Sequence, residues 1–330
     1  MKALVLSFGH PERAASTMFR IAQYADFLAS RGVTLEFIER QDLGRHMLDR
    51  VAAADVVLNQ KCVISPRLGA AIRSRAKRLV FDFDDAMWTR PGRDFSWFVR
   101  WRTARRLRWW LSHADAVVAA NHYLANWARP YARSLKVLPM AVDLTVWKPL
   151  PQTRREEVIV GWAGSPAYVR LVERLEPALA AAMAIEPRLR LTIYCGQRPN
   201  LRIPFTHVPY QPGTEAAFVQ PLDVGLLPME DDAFGRGKSP IKSLQYLSCG
   251  VPVLGHFVGA TNDILDDTNG VNVSTNAEWT NALVSLARDP ARRQALATAG
   301  LARIQERHDR TLVANHLYEI LAGKENAVRR

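Results

Sequence analysis

Apolar residues fall in short runs that alternate with helical stripes along the chain. Ala3-Leu4-Val5-Leu6-Ser7-Phe8 runs continuously to Gly9, the pattern of a strand buried on both faces. Met18, Ile21, Ala22, Ala25, Phe27, Leu28 and Ala29 then recur at helical spacing, and Arg31-Gly32 closes that helix. Val33 to Ile38 reads as the next strand. Val56-Val57-Leu58, Leu79-Val80-Phe81 and Ala116 to Ala119 repeat the theme between Arg- or Ala-rich helical segments. Strands alternating with helices predict a parallel sheet covered on both faces.

The stretch Trp147 to Glu157 is polar, carries two prolines and lacks periodicity, so it reads as a linker. A second series follows it. Val158-Ile159-Val160, Leu191 to Tyr194, Val224 to Leu227 and Val251 to Leu254 read as strands; Tyr168 to Ala184, Pro240 to Leu247 and the chain from about Glu278 read as helices. The expectation is an α/β chain of two similar halves, residues 1–148 and 149–330. Ligands would collect in a cleft at the carboxyl ends of the strands.

Composition narrows the class. With 330 residues, 48% hydrophobic and 23% charged, the chain has the make-up of a globular protein with enough length for two cores. Cys62, Cys195 and Cys249 lie far apart, which suggests neither a disulfide framework nor a zinc cluster and suits a reducing cytoplasm. The apolar run near Met1 is too short for a signal peptide, and no stretch approaches the ~20 apolar residues of a membrane span. The charge is lopsided: residues 1–150 hold 24 Lys and Arg against 13 Asp and Glu, a net of +11, out of +12 for the whole chain. That half favours an anionic partner.

Three segments carry candidate chemistry. In Asp231 to Gly259 (DDAFGRGKSPIKSLQYLSCGVPVLGHFVG), Gly235 and Gly237 loosen a loop and Lys238 offers a cation. Ser239-Pro240 predicts a helix start with serine as N-cap and proline in the first helical position. A lysine beside a helix N-terminus makes an anion site, with Gln245 further along the same helix. The alternative is a plain surface loop before a core helix; a Walker loop is absent. In FDFDDAMW (Phe81 to Trp88), Asp82, Asp84 and Asp85 follow an apolar strand. They could hold a divalent ion, activate a hydroxyl, or simply cap a helix and pair with arginines. Asp94 to Leu111 (DFSWFVRWRTARRLRWWL) mixes six aromatics with five arginines. Trp97, Trp101, Ala104 and Arg108 share one helical stripe, and Phe98, Trp101 and Arg105 share another. This suits either an anionic membrane surface or a core helix with snorkelling arginines. No nucleic-acid motif accompanies it, and no Gly-x-Ser-x-Gly or His-Glu-x-x-His supports a hydrolase.

GKSPIKSLQYLSCGVPVLG, followed by Val258-Gly259, Asn269-Gly270 and Glu278-Trp279, resembles the donor-binding half of family 4 glycosyltransferases, in the branch with a Gly-Lys loop before K-x-L-Q-Y-x-x-C-G-x-P-V. The likeness extends to ARDPARRQALATAGLARIQERHD and Gly161 to Pro166, and more loosely to ASTMFR (Ala15 to Arg20), FDFDDAMW and AANHYLANWA (Ala119 to Ala128). The resemblance implies the GT-B fold, two Rossmann-like doubly wound domains facing a cleft, with the last helix packing back on the first. It implies a hexosyltransferase-type enzyme that moves a sugar, with retention and without metal or other cofactor, from a nucleotide-diphosphate sugar. The acceptor would be a glycan or lipid-linked molecule bound by residues 1–148.

On that resemblance Lys238, Arg236, Ser239, Pro240 and Ile241 grip the diphosphate, Gln245 meets the ribose, and Gly164-Ser165 lets backbone approach the phosphates. Asp82 or Asp84 sits at the acceptor hydroxyl, with Asp85, Asn121 and His122 on the acceptor side. From the basic, Trp-rich helix itself, Trp97, Trp101, Arg105 and Arg108 would touch an anionic membrane at the cytoplasmic face, and nucleic acid is not an expected partner. Two departures stand out. The family's Glu-x7-Glu pair falls on Gly237 and Gln245, and its diphosphate-gripping Arg and Lys on Trp162 and Ala167. The first departure leaves open a non-catalytic nucleotide-sugar or glycan-binding protein of the same fold.

Overall fold

The computed structural model describes residues 1–90, 95–151 and 155–324. Asp94, at the head of the Trp-rich stretch, and residues 152–154 of the expected linker lie outside them. The chain folds as two compact units: Met1–Ala141 with Asp232–Ser239 and the chain from Arg310 on, and Val142–Asp231 with Pro240–Asp309. In place of one crossing near residue 148, the chain passes between units after Ala141, Asp231, Ser239 and Asp309.

The first unit holds a parallel sheet of β1 (Lys2–Ser7), β2 (Thr34–Glu39), β3 (Val56–Gln60), β4 (Leu79–Phe83), β5 (Ala116–Ala119) and β6 (Leu135–Val137), in the order β2-β1-β3-β4-β5-β6. Alternate residues feed its two faces, as the period of a strand requires. Leu4, Leu6, Phe81 and Val117 pack with Leu107, Trp110 and Leu124. Ala3, Val5, Val80 and Val118 pack with Ile21 and Leu28, and with Val313, Leu317 and Leu321 of the helix Arg310–Ala322. That last helix therefore completes the first sheet's second layer.

The second unit holds β7 (Val158–Ala163), β8 (Leu189–Cys195), β9 (Thr206–Pro209), β10 (Val224–Leu227), β11 (Val253–Gly255) and β12 (Gly270–Asn272), all parallel, in the order β12-β11-β10-β7-β8-β9. Numbered within the unit, this is the 3-2-1-4-5-6 order of dinucleotide-binding sheets, while the first unit begins as the 2-1-3-4-5 order of flavodoxin-like ones. In both, strand order reverses beside the first strand: at β1 and β3, and at β7 and β10. Such reversals open the crevice where α/β proteins bind ligands. The α/β, Rossmann-like expectation for both halves holds.

Glu278-Trp279 has a local role. Glu278 accepts from the Ser274 and Thr275 amides while Thr275 Oγ1 accepts from the Glu278 amide, a capping box that starts the helix Asn276–Arg288 and points Trp279 into the core. Thr275→Ala is expected to lower stability in urea unfolding by about 1 kcal/mol; an unchanged midpoint would remove the cap from the account.

Candidate functional site

At the first unit's reversal, β1 ends at Ser7 and β3 at Gln60. The helix Ala15–Arg20 returns over this end and presents Ser16, Thr17 and Arg20. Gln60 Oε1 accepts from the Phe8 amide (3.1 Å) and from Thr17 Oγ1 (3.0 Å), and its Nε2 donates to Ser16 Oγ (3.1 Å). The next residue, Lys61, has a φ of 44°, in the left-handed region that non-glycine residues rarely adopt. The strained backbone turns its ammonium onto two carboxylates, Asp84 at 2.8 Å and Asp85 at 2.5 Å. Strain of this kind gathers at functional sites, where the surrounding structure holds it in place.

The three aspartates differ sharply. Asp82 lies inside β4 and not after it, because the strand continues through Phe83. Its carboxylate is buried and accepts from Arg20 Nε (2.9 and 3.0 Å) and Nη2 (2.6 Å), while Arg20 Nη1 donates to the Leu138 carbonyl (2.5 Å). Burial would drive a proton off Arg20, but Asp82 more than offsets it and holds the guanidinium charged. This corrects the expectation that Asp82 works on an acceptor hydroxyl: both its oxygens are committed inside the core. Asp84 is also buried, accepting from Ser16 Oγ (2.7 Å) and facing Lys61. Burial raises its carboxyl, and Lys61 and Ser16 overcome that and hold it ionised. It too is enclosed, which corrects its placement at the hydroxyl. Asp85 is the accessible member, its side chain 29% exposed. Burial and the charge on Asp84 raise its carboxyl above the ordinary range, against the pull of Lys61 and Lys238. A raised, accessible carboxylate is the kind of group that exchanges protons with a substrate.

Asp232–Ser239 packs into this same unit. Asn121 caps the helix His122–Ala128 by accepting from the Leu124 amide (2.9 Å), and its Nδ2 donates to the Gly237 carbonyl (3.0 Å) and to Ser239 Oγ (2.9 Å). Asn121 is thus a buried clamp, which corrects its acceptor-side placement; His122 beside it is exposed. Gly237 is buried, and a Cβ there would meet Ala86 Cβ at 2.6 Å, so this position has no room for the carboxylate that relatives place on it. Lys238 has its ammonium 5.9 Å from the Phe234 ring centre, and Arg236 is exposed. Ser239 and Pro240 do not start the helix in the expected register. The helix is Ile241–Ser248, Pro240 occupies the cap position at ψ 81°, and no side chain caps it, because Ser239 Oγ is taken by Asn121. The motifs FDFDDAMW and AANHYLANWA meet in the same unit, where Trp88 stacks on Trp127 with ring centres 4.0 Å apart.

In the second unit, β7 leads into Gly164-Ser165. The space beside Gly164 is filled: a Cβ would lie 2.2 Å from the Trp162 indole. The glycine therefore serves indole packing, a correction to its expected role of admitting phosphate, while Ser165 is exposed. Tyr246 packs its ring on Gly225 of β10 and its hydroxyl accepts from the Ala163 amide (3.0 Å), which ties the helix Ile241–Ser248 to the reversal point. In this helix Gln245 and Ser243 are buried, and Gln245 Oε1 and Ser243 Oγ have no hydrogen-bond partner among the described residues. Such orphaned groups cost stability unless something else satisfies them.

Lys242, in the first turn, was missed by sequence reasoning, although the lysine of K-x-L-Q-Y was its visible signal. Desolvation pulls its ammonium down to about 8, against the pull of Glu215. A desolvated cation in a helix's first turn is a group that an anion would stabilise.

The stripe Trp97, Trp101, Arg105 and Arg108 lies on the helix Trp97–His113 and is exposed. Among the described residues, no group of three or more His, Cys, Asp and Glu is placed to hold a metal ion. No helix among them is long and apolar enough to cross a membrane.

Comparison with known proteins agrees with this architecture. No curated protein matches the chain. Residues 174–319 match the family model described as "Glycosyl transferase-like". A sucrose-phosphate synthase structure from Thermosynechococcus elongatus is similar at a TM-score of 0.75 and 16% identity, over 98% of this chain and 99% of that one. HepE of Anabaena, in complex with UDP and glucose, is similar at 0.71 and 14%, over 98% and 100%. A glycosyltransferase from Rickettsia africae is similar at 0.71 and 10%, over 98% and 99%. The chain has the two-domain GT-B fold, and its second half carries a glycosyltransferase-like segment.

Proposed function

We propose that the protein is a retaining, metal-independent glycosyltransferase of the family 4 type, which moves a hexose from a nucleotide-diphosphate sugar to a glycan or lipid-linked acceptor. The glycosyl transferase-like match over residues 174–319 carries the reading, because that segment contains Lys242, Ser243 and Gln245. In this reading the second unit takes the nucleotide sugar. The Lys242 ammonium and the first-turn amides at Ile241 face the diphosphate. Gln245 Oε1 accepts from a ribose hydroxyl, and Ser165 closes the phosphate end. The leaving diphosphate gains charge as the glycosidic bond breaks, and fixed cations and helix amides stabilise that charge. The first unit takes the acceptor, with Asp85 oriented by Lys61 and receiving the hydroxyl proton. HepE has been captured with UDP, with UDP and glucose, and with UDP-glucose, so UDP-sugars are the first donors to test.

The enclosed Gly237 supports a second reading, a nucleotide-sugar-binding protein without turnover, since no carboxylate can stand at that position. Release of nucleoside diphosphate from a panel of UDP-, GDP-, ADP- and dTDP-sugars separates the two. Transfer predicts release from at least one donor; saturable binding of donors with no release would favour the second reading. Lys242 adds a pH signature. Its ammonium titrates near 8, the charged form binds the anion, and so affinity for a nucleoside diphosphate should fall above pH 8, by up to about tenfold per pH unit. Lys242→Arg, which stays charged, should flatten that slope; a wild-type affinity constant from pH 7 to 10 would remove Lys242 from the diphosphate.

A further inference from the structure

We infer that the amino-terminal half of the helix Trp97–His113 is a docking surface for the anionic face of a phospholipid bilayer. The helix has two different halves. Leu107, Trp110 and Leu111 are buried in the first core, whereas no residue from 97 to 106 is buried. Trp97 is 80% exposed, Phe98 50% and Trp101 53%, three large aromatics on one solvent-facing tip. Single exposed apolar residues are ordinary, but a contiguous aromatic patch marks an interaction site. Trp97, Trp101, Arg105 and Arg108 follow one another along a single stripe and, with Phe95 and Arg100, line a groove of about 520 Å³. From Phe95 to Ala114 the sequence has five arginines and no acid, so the partner's surface must be negative.

The details favour a bilayer over other anionic or apolar partners. Single-stranded nucleic acid stacks its bases on open aromatic faces. Here Phe98 stacks on Trp101, with ring centres 6.2 Å apart, and lies under the Arg102 guanidinium at 5.8 Å; Arg105 sits over Trp101 at 5.5 Å. Phe98 and Trp101 thus already have ring and cation partners, while all three aromatics stay at least half exposed. A bilayer interface needs only apolar volume and a ring of cations at headgroup depth, which is the make-up of an interfacial helix. A second copy of the chain, meeting this one through the same patch, would set arginine against arginine.

Flotation of the full-length protein with phosphatidylcholine vesicles, with and without phosphatidylglycerol, tests the assignment without reference to turnover, so it fails separately from the glycosyltransferase reading. Binding should require the anionic lipid and fall with added salt. W97S/W101S, whose side chains are exposed and whose melting should be unchanged, should weaken it by at least about tenfold, and R102Q/R105Q should abolish the lipid preference. Equal binding to both vesicle types, no binding, a tighter complex with single-stranded oligonucleotide, or salt-sensitive self-association lost in W97S/W101S would each overturn it.

Discussion

Arg20→Met is expected to destabilise the first unit by about 3–5 kcal/mol, the largest loss among the substitutions considered. The guanidinium is fully buried and joins Asp82 to the Leu138 carbonyl, so its removal strands a carboxylate and a carbonyl where water cannot reach them. Against a typical total of about 5–15 kcal/mol, such a loss leaves much of the protein unfolded at physiological temperature. R20M/D82N should recover part of the deficit, because the neutral amide costs less to bury than an unpaired charge. Urea unfolding followed by circular dichroism reads both. If R20M unfolds at the wild-type midpoint, the pair does not hold the end of β4.

The second large effect concerns turnover. Asp85→Asn is expected to lower transfer by about 10²-fold while leaving affinity for the nucleotide sugar unchanged, the range for losing a positioned proton acceptor. Asparagine keeps the size of the side chain and can stay beside Lys61, so the loss isolates the carboxylate's proton chemistry. The pH profile supplies an independent sign. Burial and Asp84 raise the Asp85 carboxyl, so wild-type transfer should fall as pH drops through that raised value, earlier than for an ordinary aspartate. The variant should lack that limb. Equal kcat/KM in wild type and D85N, or a retained acid limb, would take Asp85 out of the reaction.

How much was legible in the sequence follows from where each signal is stored. The inner strands show as apolar runs because both faces are buried, and β1, β5, β7 and β10 lie where those runs put them. The edge strands β6, β9 and β12 went unrecognised: partly exposed, they show no continuous apolar run. FDFDDAMW was visible as an acidic cluster, but its division of labour was not. Arg20 pairs with Asp82 across 62 positions, and the left-handed turn at Lys61 has no glycine to announce it. In sequence Gly237 stands where relatives carry a carboxylate; in three dimensions it is a contact with Ala86 that tolerates no side chain. Lys238 drew attention through its glycine neighbours, whereas Lys242, inside a helix with ordinary spacing, became prominent only once its half-buried place in the first turn was known.

In the proposed mechanism the helix Ile241–Ser248 and its first-turn lysine bind a diphosphate. Calorimetric titration of the wild type and Lys242→Met with UDP, each variant first shown to melt as a folded protein, tests it most directly. Saturable binding is expected for the wild type and at least about tenfold weaker binding for the variant, the loss typical of removing one partly buried charge contact. Equal affinities for the two proteins would contradict it.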